Sequence, residues 1–553
     1  MTNSKPTSEV PRCWSIQTLP AWTQAVSLLF GAVMAGVMIG AAWRNEPWGW
    51  VGVGGIACFL FMQVRLRLWP ALMHAFVAGT ASFLVACPWL PSTVMYLAEC
   101  DPGIAHLIAG LFYSLQSLGL VLFAGIWSCL RRKGCEAWIM TPVIWVGLEQ
   151  WVPTLFPWPP AVMLTADLPM LQLAEVGGVH LVSLLVVSLA SFLAWTMREL
   201  WDGRQCGSLG QRSVGLWCLV LVAFVLLRFW GSHRVNQFEQ AIQRNASGLK
   251  VGLVQADTGY FDSNQRMIET TREMEGMLDL VIWPEAALGN YSRRLVEFSD
   301  PVVVAQKSKG DGLQFVPFPD PHCLLLAGAD TWEEEADDGG RTQQFVSALL
   351  IDQQQRLIGR RDKSRLMPYG EYIPGEAIVP AQRDWFGSER SITPGTSNDP
   401  IGSIKGFRMG VLLCCEDMHP DLVRDVAGRG VDCLVTLGNG MAFDSEIALR
   451  QHFRIAQLRA IEHRLSFIRC TSTGISGWIT PSGRVGLELP ALQDTATILT
   501  IPKVTLAAPT FFGQCGWLVC WLVGTASIVV FVYQSALSRH NSLGPATPEK
   551  SAG

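Results

Sequence analysis

Three short stretches bring together residue types that can perform acyl chemistry. In "IWPEAAL" a carboxylate, Glu285, follows an apolar run and a proline. "RRDKSRLMPYGEYIP" sets Lys363 and Glu371 on either side of a Pro-Tyr-Gly turn that contains Tyr369. "MGVLLCCEDMHPDL" ends an apolar run in two adjacent thiols, Cys414 and Cys415, and continues into Glu416 and Asp417. A thiolate is a strong nucleophile, but a free thiol of pKa about 8.5 is only a few per cent ionised at pH 7. Something must take its proton, and Glu285 can do so if burial lifts it above the unperturbed value near ~4.3, a lift that a nearby Lys363 opposes. The charge that develops on an attacked carbonyl oxygen calls for a donor, and an ammonium such as Lys363 is worth roughly 3–4 kcal/mol there. Groups this strongly linked titrate as a set. Taken singly, each stretch has an ordinary explanation: a helix-start acid, a solvated lysine, a core cysteine.

The elements around these stretches must bring them together. "LKVGLVQAD", "LDLVIWPEAAL", "HCLLLAGAD", "FVSALLID", "FRMGVLLCCED", "VDCLVTLGN", "LSFIRCTST" and "TATILTIP" are short apolar or β-branched runs bounded by Gly, Asp and Pro. Helical patterns lie between them at about 263–277, 420–428 and 445–463. Strands alternating with helices predict a layered α/β domain over 249–505. Each of the three chemical stretches falls at or just after a strand end.

The rest of the chain is of another kind. Of 553 residues, 50% are hydrophobic and only 16% charged, against about 25% charged in soluble proteins. Apolar runs near spanning length occur at 21–42, 48–64, 70–91, 104–129, 137–156, 177–197, 213–230 and 512–534. The first is too long for a cleaved leader and lacks a small-residue cleavage site. Basic residues concentrate in alternate connectors: Lys5 and Arg12, Arg65 and Arg67, Arg131 to Lys133, then Arg198, Arg204 and Arg212. The positive-inside rule places that set in the cytoplasm, and seven crossings then deliver residues 231–511 to the opposite face. The expected organisation is a cytoplasmic N-terminus (1–20), a seven-span membrane domain (21–230), a catalytic domain (231–511), an eighth span (512–534) and a cytoplasmic tail (535–553). A net charge of −4 gives no reason to expect nucleic acid. The 15 cysteines form no C-x-x-C pair, and most sit in apolar runs as small hydrophobes. No phosphate-binding loop is present in the sequence.

Glu285, Lys363 and Cys414, in that order on an α/β domain, resemble the triad of the carbon–nitrogen hydrolase (nitrilase) superfamily. The preceding and following spans narrow the resemblance to its membrane branch, the apolipoprotein N-acyltransferases. "WVGLEQWVPTLFPW", "LAEVGGVHLVSLLVV", "RRDKSRLMPYGEYIP" and "RQHFRIAQLRAIEHRLSFIRCTSTGISGWITPSGRV" are similar to that branch's segments. The resemblance implies an α-β-β-α sandwich beside a bundle of about eight spans. Its Cys-(aromatic)-Glu signature falls on Cys414-Cys415-Glu416, which gives Cys414 the nucleophile's place. Strand alternation would turn Cys415 to the other face. By the same resemblance Glu371 orients Lys363 or the acceptor amine, while Glu416, Tyr369, Asn439 and Phe443 belong to the surrounding pocket. The branch's T-N-D-x-W-F loop appears here as "GNGMAF", so Gly440 and Ala442 replace an acid and an aromatic. The Trp usual after "VGLVQAD" is also missing, with Tyr260 or Phe261 nearby.

The implied activity is transfer of a fatty acyl chain from a membrane phospholipid, through a cysteine thioester, to the α-amine of diacylglyceryl-cysteine in apolipoproteins. It implies no metal and no cofactor, and a place in the bacterial cytoplasmic (inner) membrane with the catalytic domain on the periplasmic face. A membrane-tethered amidase that hydrolyses a small amide with the same triad is the other enzyme reading. A non-catalytic lipoprotein-binding relative is the reading of a different class.

Overall fold

The computed structural model describes residues 20–516 except 45, 99, 133–136, 153–157, 204–210, 246–247, 257–262, 275–277, 289, 293–303, 308–312, 317–322, 335–341, 355, 369, 374, 376–391 and 505–507; beyond 516 it describes only 518, 522 and 525. The N-terminal half is helical: α1 (Ala21–Arg44), α2 (Gly49–Gln63), α3 (Leu68–Ala86), α4 (Leu90–Ala98), α5 (Pro102–Arg132), α6 (Ala137–Trp151), α7 (Leu168–Leu171), α8 (Ala174–Gly203) and α9 (Gln211–Arg244). Among the described residues, α1, α3, α5, α8 and α9 are long and apolar enough to cross a membrane. α2 and α6 have 15 residues each, short of the roughly 20 that a hydrocarbon core needs. Most of the expected eighth span, all but 512–516, 518, 522 and 525, lies outside the described residues.

Three expected boundaries shift for identifiable reasons. The third span does not run from 70 to 91: Pro88 cannot continue a helix, so α3 stops at Ala86 and α4 begins at Leu90. α8 carries a break at Gly177 and Gly178, where Gly178 has φ +65° and a Cβ would lie 2.3 Å from the Phe512 ring. The amide that the break releases, Val179 N–H, donates to the buried Glu462 carboxylate at 2.8 Å. Finally, α9 does not end at 230. It continues as a polar helix to Arg244, so residue 231 is not the start of the catalytic domain. Glu239 on this extension accepts hydrogen bonds from Thr480 and Ser482, and Arg234 pairs with Glu175.

The second half begins with β1 (Gly248–Gln255), α10 (Ser263–Glu273), β2 (Leu280–Ile282), β3 (Asn290–Ser292), β4 (Val304–Lys307), β5 (Leu313–Val316), β6 (Leu324–Glu334), β7 (Thr342–Ile351) and β8 (Leu357–Asp362). It continues with β9 (Gly402–Ile404), β10 (Phe407–Leu413), α11 (Pro420–Gly428), β11 (Cys433–Gly438), α12 (Glu446–His463), β12 (Ser466–Thr471), β13 (Gly477–Ile479), β14 (Val485–Glu488) and β15 (Thr495–Pro502). One sheet runs β15-β1-β2-β6-β7-β8, with β3 on β6, and the other runs β14-β13-β12-β11-β10-β9. Residues such as Val251, Ile282 and Leu326 meet Val411, Val435 and Ile468 in the layer between the sheets. α10 covers the first sheet through Met267 and Ile268; α11 and α12 cover the second through Val423, Val426 and Ala456. The order of layers is α-β-β-α.

α12 also faces the bundle, so it is buried on both sides. Ile455, Leu458 and Ile461 belong to the apolar cluster of the membrane helices. Gln451 Nε2 donates to the carbonyls of Trp43 and Ala86, at 3.1 and 2.8 Å, and its Oε1 accepts from Trp89 Nε1 at 3.0 Å. Those carbonyls end α1 and α3 and have no partner further along their own helices.

Candidate active site

Glu285 sits on the turn that follows β2. Its backbone N–H reaches across to the Gly438 carbonyl at the end of β11. The turn lies so close to β6 that a Cβ on Gly328 would come within 2.5 Å of Glu285 Cα. Lys363 is the residue after β8 and is anchored by its N–H to the Val346 carbonyl at 2.8 Å. Cys414 is the first residue of a 3-10 turn, Cys414–Met418, that follows β10. Its φ of +49° lies in the left-handed region, which costs a side-chain-bearing residue energy and gathers at functional sites. The two cysteines are therefore not successive strand residues, and the alternation argument does not apply. The turn at residue 414 separates them instead. Cys414 lines a cleft, whereas Cys415 is buried in the apolar cluster of the bundle.

These strand ends converge. Lys363 Nζ lies 3.3 Å from Glu285 Oε1 and 2.5 Å from Glu371 Oε1, and the other Glu371 oxygen accepts from the Met367 N–H at 2.7 Å. Cys414 lies beside the Glu285 carboxylate, near enough for each to influence the other's protonation. Glu416, expected at the pocket, does not line the cleft. It is fully buried and ties two strand ends together: Oε1 accepts from the N–H groups of Ser364 and Arg365, and Oε2 from Arg361 Nη1 at 2.6 Å and the Leu413 N–H at 2.8 Å. It holds the end of β8 against the end of β10, and with them Lys363 against Cys414.

Burial raises Glu285 to about 7, outweighing the Lys363 ammonium that pulls it down. Burial also pushes the Cys414 thiol well above its usual range, and the Glu285 carboxylate adds to this against Lys363. The resting sulfur is a neutral thiol. Burial works against the Lys363 ammonium, yet the neighbouring carboxylates, Glu285 first and then Glu371, favour its charge, and it stays well above the ordinary lysine value. The site thus contains a neutral nucleophile, a base matched to neutral pH and a permanent cation. That combination suits attack on a carbonyl carbon with the charge collected on its oxygen.

The membrane half and the catalytic half both line the narrow cleft in front of Cys414. Trp89 and Trp158 come from the bundle side; Met418, Phe443, His452 and Arg469 come from the sandwich. Phe443 packs edge-on against Trp89, with ring centroids 5.3 Å apart. Asn439 borders the cleft, but its Oδ1 accepts from the Met441 N–H and the Ser472 hydroxyl, which fixes the loop. Tyr369 and the segment with Tyr260 and Phe261 lie outside the described residues. Sequence reasoning did not single out Trp89, Asp417, His452 or Arg469. The Q-H pair at 451–452 and the acid three residues after Cys414 were the signals available.

The profile of the family described as carbon-nitrogen hydrolase matches residues 250–508, and that of the apolipoprotein N-acyltransferase N-terminal domain matches residues 35–192. The chain belongs to the apolipoprotein N-acyltransferase family. A protein of that name from Geobacter metallireducens is 25% identical over 536 residues, covering 92% of this chain and 96% of its own. One from Azotobacter vinelandii is 28% identical over 496 residues, covering 82% and 89%. One from Bdellovibrio bacteriovorus is 24% identical over 526 residues, covering 89% and 92%. Against that family's loop, Gly440 has a local reason: a Cβ there would lie 2.4 Å from Thr473 Oγ1 and 2.7 Å from Leu449 Cδ2. The loop is packed for glycine, and an acid does not fit without rearrangement.

Proposed function

We propose that this protein transfers a fatty acyl chain from a membrane phospholipid to the N-terminal α-amine of diacylglyceryl-cysteine in apolipoproteins. Family membership supports lipoprotein N-acylation. The observation that carries the mechanism is the Glu285–Lys363 ion pair beside Cys414, which lines a cleft walled on one side by Trp89 and Trp158 of the membrane half. Glu285 takes the thiol proton as Cys414 attacks the ester carbonyl, Lys363 stabilises the oxyanion, and Glu285 returns the proton to the departing glycerol oxygen. This leaves a thioester and a lysophospholipid. Glu371 holds Lys363 in place through its 2.5 Å contact. The amine then replaces sulfur, and since an amide is more stable than a thioester no nucleotide is consumed. The protein sits in the bacterial cytoplasmic membrane with its catalytic domain on the periplasmic face, where both lipid substrates present their head groups.

The test separates transfer from hydrolysis. With labelled phospholipid alone, the detergent-solubilised protein should accumulate a stable thioester. A diacylated lipopeptide with a free α-amine should discharge it quickly, and its N-acetylated form should not. Release of free fatty acid at one rate with or without the lipopeptide would replace this reading by the amidase-like one.

A further inference from the structure

The acylation chemistry leaves a buried acid unused beside the nucleophile. Asp417 has no accessible side-chain surface, and both of its oxygens are engaged. Oδ1 lies 2.7 Å from His452 Nε2 on α12, and Oδ2 pairs with Arg469 on β12. His452 and Arg469 line the same cleft as Cys414, and 16% of the His452 side chain remains accessible. Burial opposes the Asp417 charge, but His452, Arg469 and Arg459 outweigh it and keep the carboxylate ionised. An ionised carboxylate only accepts hydrogen bonds, so Nε2 carries the ring proton. Nδ1 is left as the basic nitrogen. The charged groups facing the ring are Asp417 from the 3-10 turn, Arg469 from β12 and Lys363 from the end of β8. Burial, with the two cations, prevails over Asp417 and keeps the imidazole below its ordinary value, hence neutral at pH 7.

Amide formation poses a proton problem that ester cleavage does not. An α-amine of pKa about 8 is mostly an ammonium at pH 7 and has no lone pair for attack. It must lose one proton before C–N bond formation and a second as the tetrahedral adduct collapses. Glu285 can carry only one of them, to the Cys414 sulfur as the C–S bond breaks. We propose that His452, oriented by Asp417, is the base that takes the first proton from the acceptor's α-ammonium. The assignment rests on the acyl-transfer reading above. His452 Nδ1 accepts the proton, the neutral amine attacks the thioester carbon, Glu285 moves the second proton from nitrogen to sulfur, and the imidazolium releases its proton to solvent. Ammonium and thioester become amide, thiol and one released proton, so the step balances. Asp417 and Arg469 are positioning residues.

Single-turnover kinetics separate the two halves of the cycle. His452→Gln should form the thioester from labelled phospholipid within a few-fold of the wild-type rate, which also reports a folded site. Its discharge by the free-amine lipopeptide should be slower by about 10-fold at pH 7, the deficit set by the free-amine fraction of an amine of pKa about 8. The pH profile carries the discrimination. Wild-type discharge should be flat between the imidazole and amine pKa values, because ammonium plus imidazole holds the same protons as amine plus imidazolium. In His452→Gln discharge should climb with the free-amine fraction and approach wild type near about pH 9. Asp417→Asn should shift the profile in the same sense but less. Equal slowing of both halves with an unchanged profile, or discharge at the wild-type rate, overturns the assignment. So does loss of thioester formation in both His452→Gln and His452→Asn, which would move the residue to acylation or to the fold. A wild-type protein that forms no thioester brings down the acyl-transfer reading itself, before any variant is compared.

Discussion

Cys414 is a neutral thiol at rest because its burial and the adjacent Glu285 carboxylate outweigh Lys363. Its attack therefore requires the ionised form of Glu285, which burial raises to about 7. The sign follows: thioester formation should fall as pH drops below about 7 and level off above it, with Glu285→Gln inactive throughout; rapid-quench measurement of the acyl-enzyme against pH checks this. A profile flat down to pH 5 would mean that Glu285 is not the base. Between the paired thiols, Cys414→Ala and Cys414→Ser should abolish acylation, whereas Cys415→Ala, which trims a side chain packed in the bundle cluster, should keep a substantial part. Label should map to residue 414. The sequence pattern pointed to Cys414 and to the opposing pulls on Glu285, because residue type and order carry that information. It could not show the turn at Cys414, since a left-handed φ follows from three-dimensional packing. Nor could it assign Glu416, whose partners Arg361 and Ser364 lie more than fifty residues back in the chain.

Strand ends bring the reacting groups together, and two contacts hold those ends in place. Glu416 joins β8 to β10 through a fully buried ion pair with Arg361 and hydrogen bonds from three backbone N–H groups. Glu416→Ala leaves the Arg361 charge buried without its carboxylate, a change that costs about 3–5 kcal/mol. A matching loss of thermal stability, with acylation lost alongside, is expected; Glu416→Gln keeps the shape and should lose less of both. At Gly328 an added Cβ would meet backbone, 2.5 Å from Glu285 Cα, so the Glu285 turn must move. Gly328→Ala should therefore reduce thioester formation more than it lowers the unfolding temperature. Most of the strands were legible as apolar runs, including β1, β2, β7, β10, β11, β12 and β15. β8 was not, because "LIGRRD" alternates buried and accessible positions and reads as a basic segment. It is nonetheless the strand that delivers Lys363. β13 and the edge strand β14 are short and contain Gly477 and Gly486, so no periodic signal marked them.

At the scale of the whole molecule, the catalytic domain is fixed to the bundle by buried polar contacts as well as by apolar ones. Arg464 at the end of α12 is fully buried and reaches Glu175 Oε2 and Gln172 Oε1, each at 2.7 Å, beside the Gln451 contacts to the ends of α1 and α3. A cleft shared between the halves needs this rigidity, since Trp89 and Phe443 arrive from opposite sides. The domain must then lie at the membrane surface on which α1, α3 and α9 present the ends it touches. Which surface that is depends on the connectors, and here the sequence gives what helix geometry does not. Arg65 and Arg67 lie between α2 and α3, at the bundle end opposite Trp43 and Ala86, which face Gln451. If basic connectors stay in the cytoplasm, Gln451 and the whole sandwich are outside it. A phosphatase reporter that is active only outside the cytoplasm should therefore be active when fused after Arg244, and silent when fused near residue 205 between α8 and α9. The opposite pattern would put Cys414 at the inner leaflet, away from secreted apolipoproteins, and would end the acyl-transfer reading whatever the triad can do.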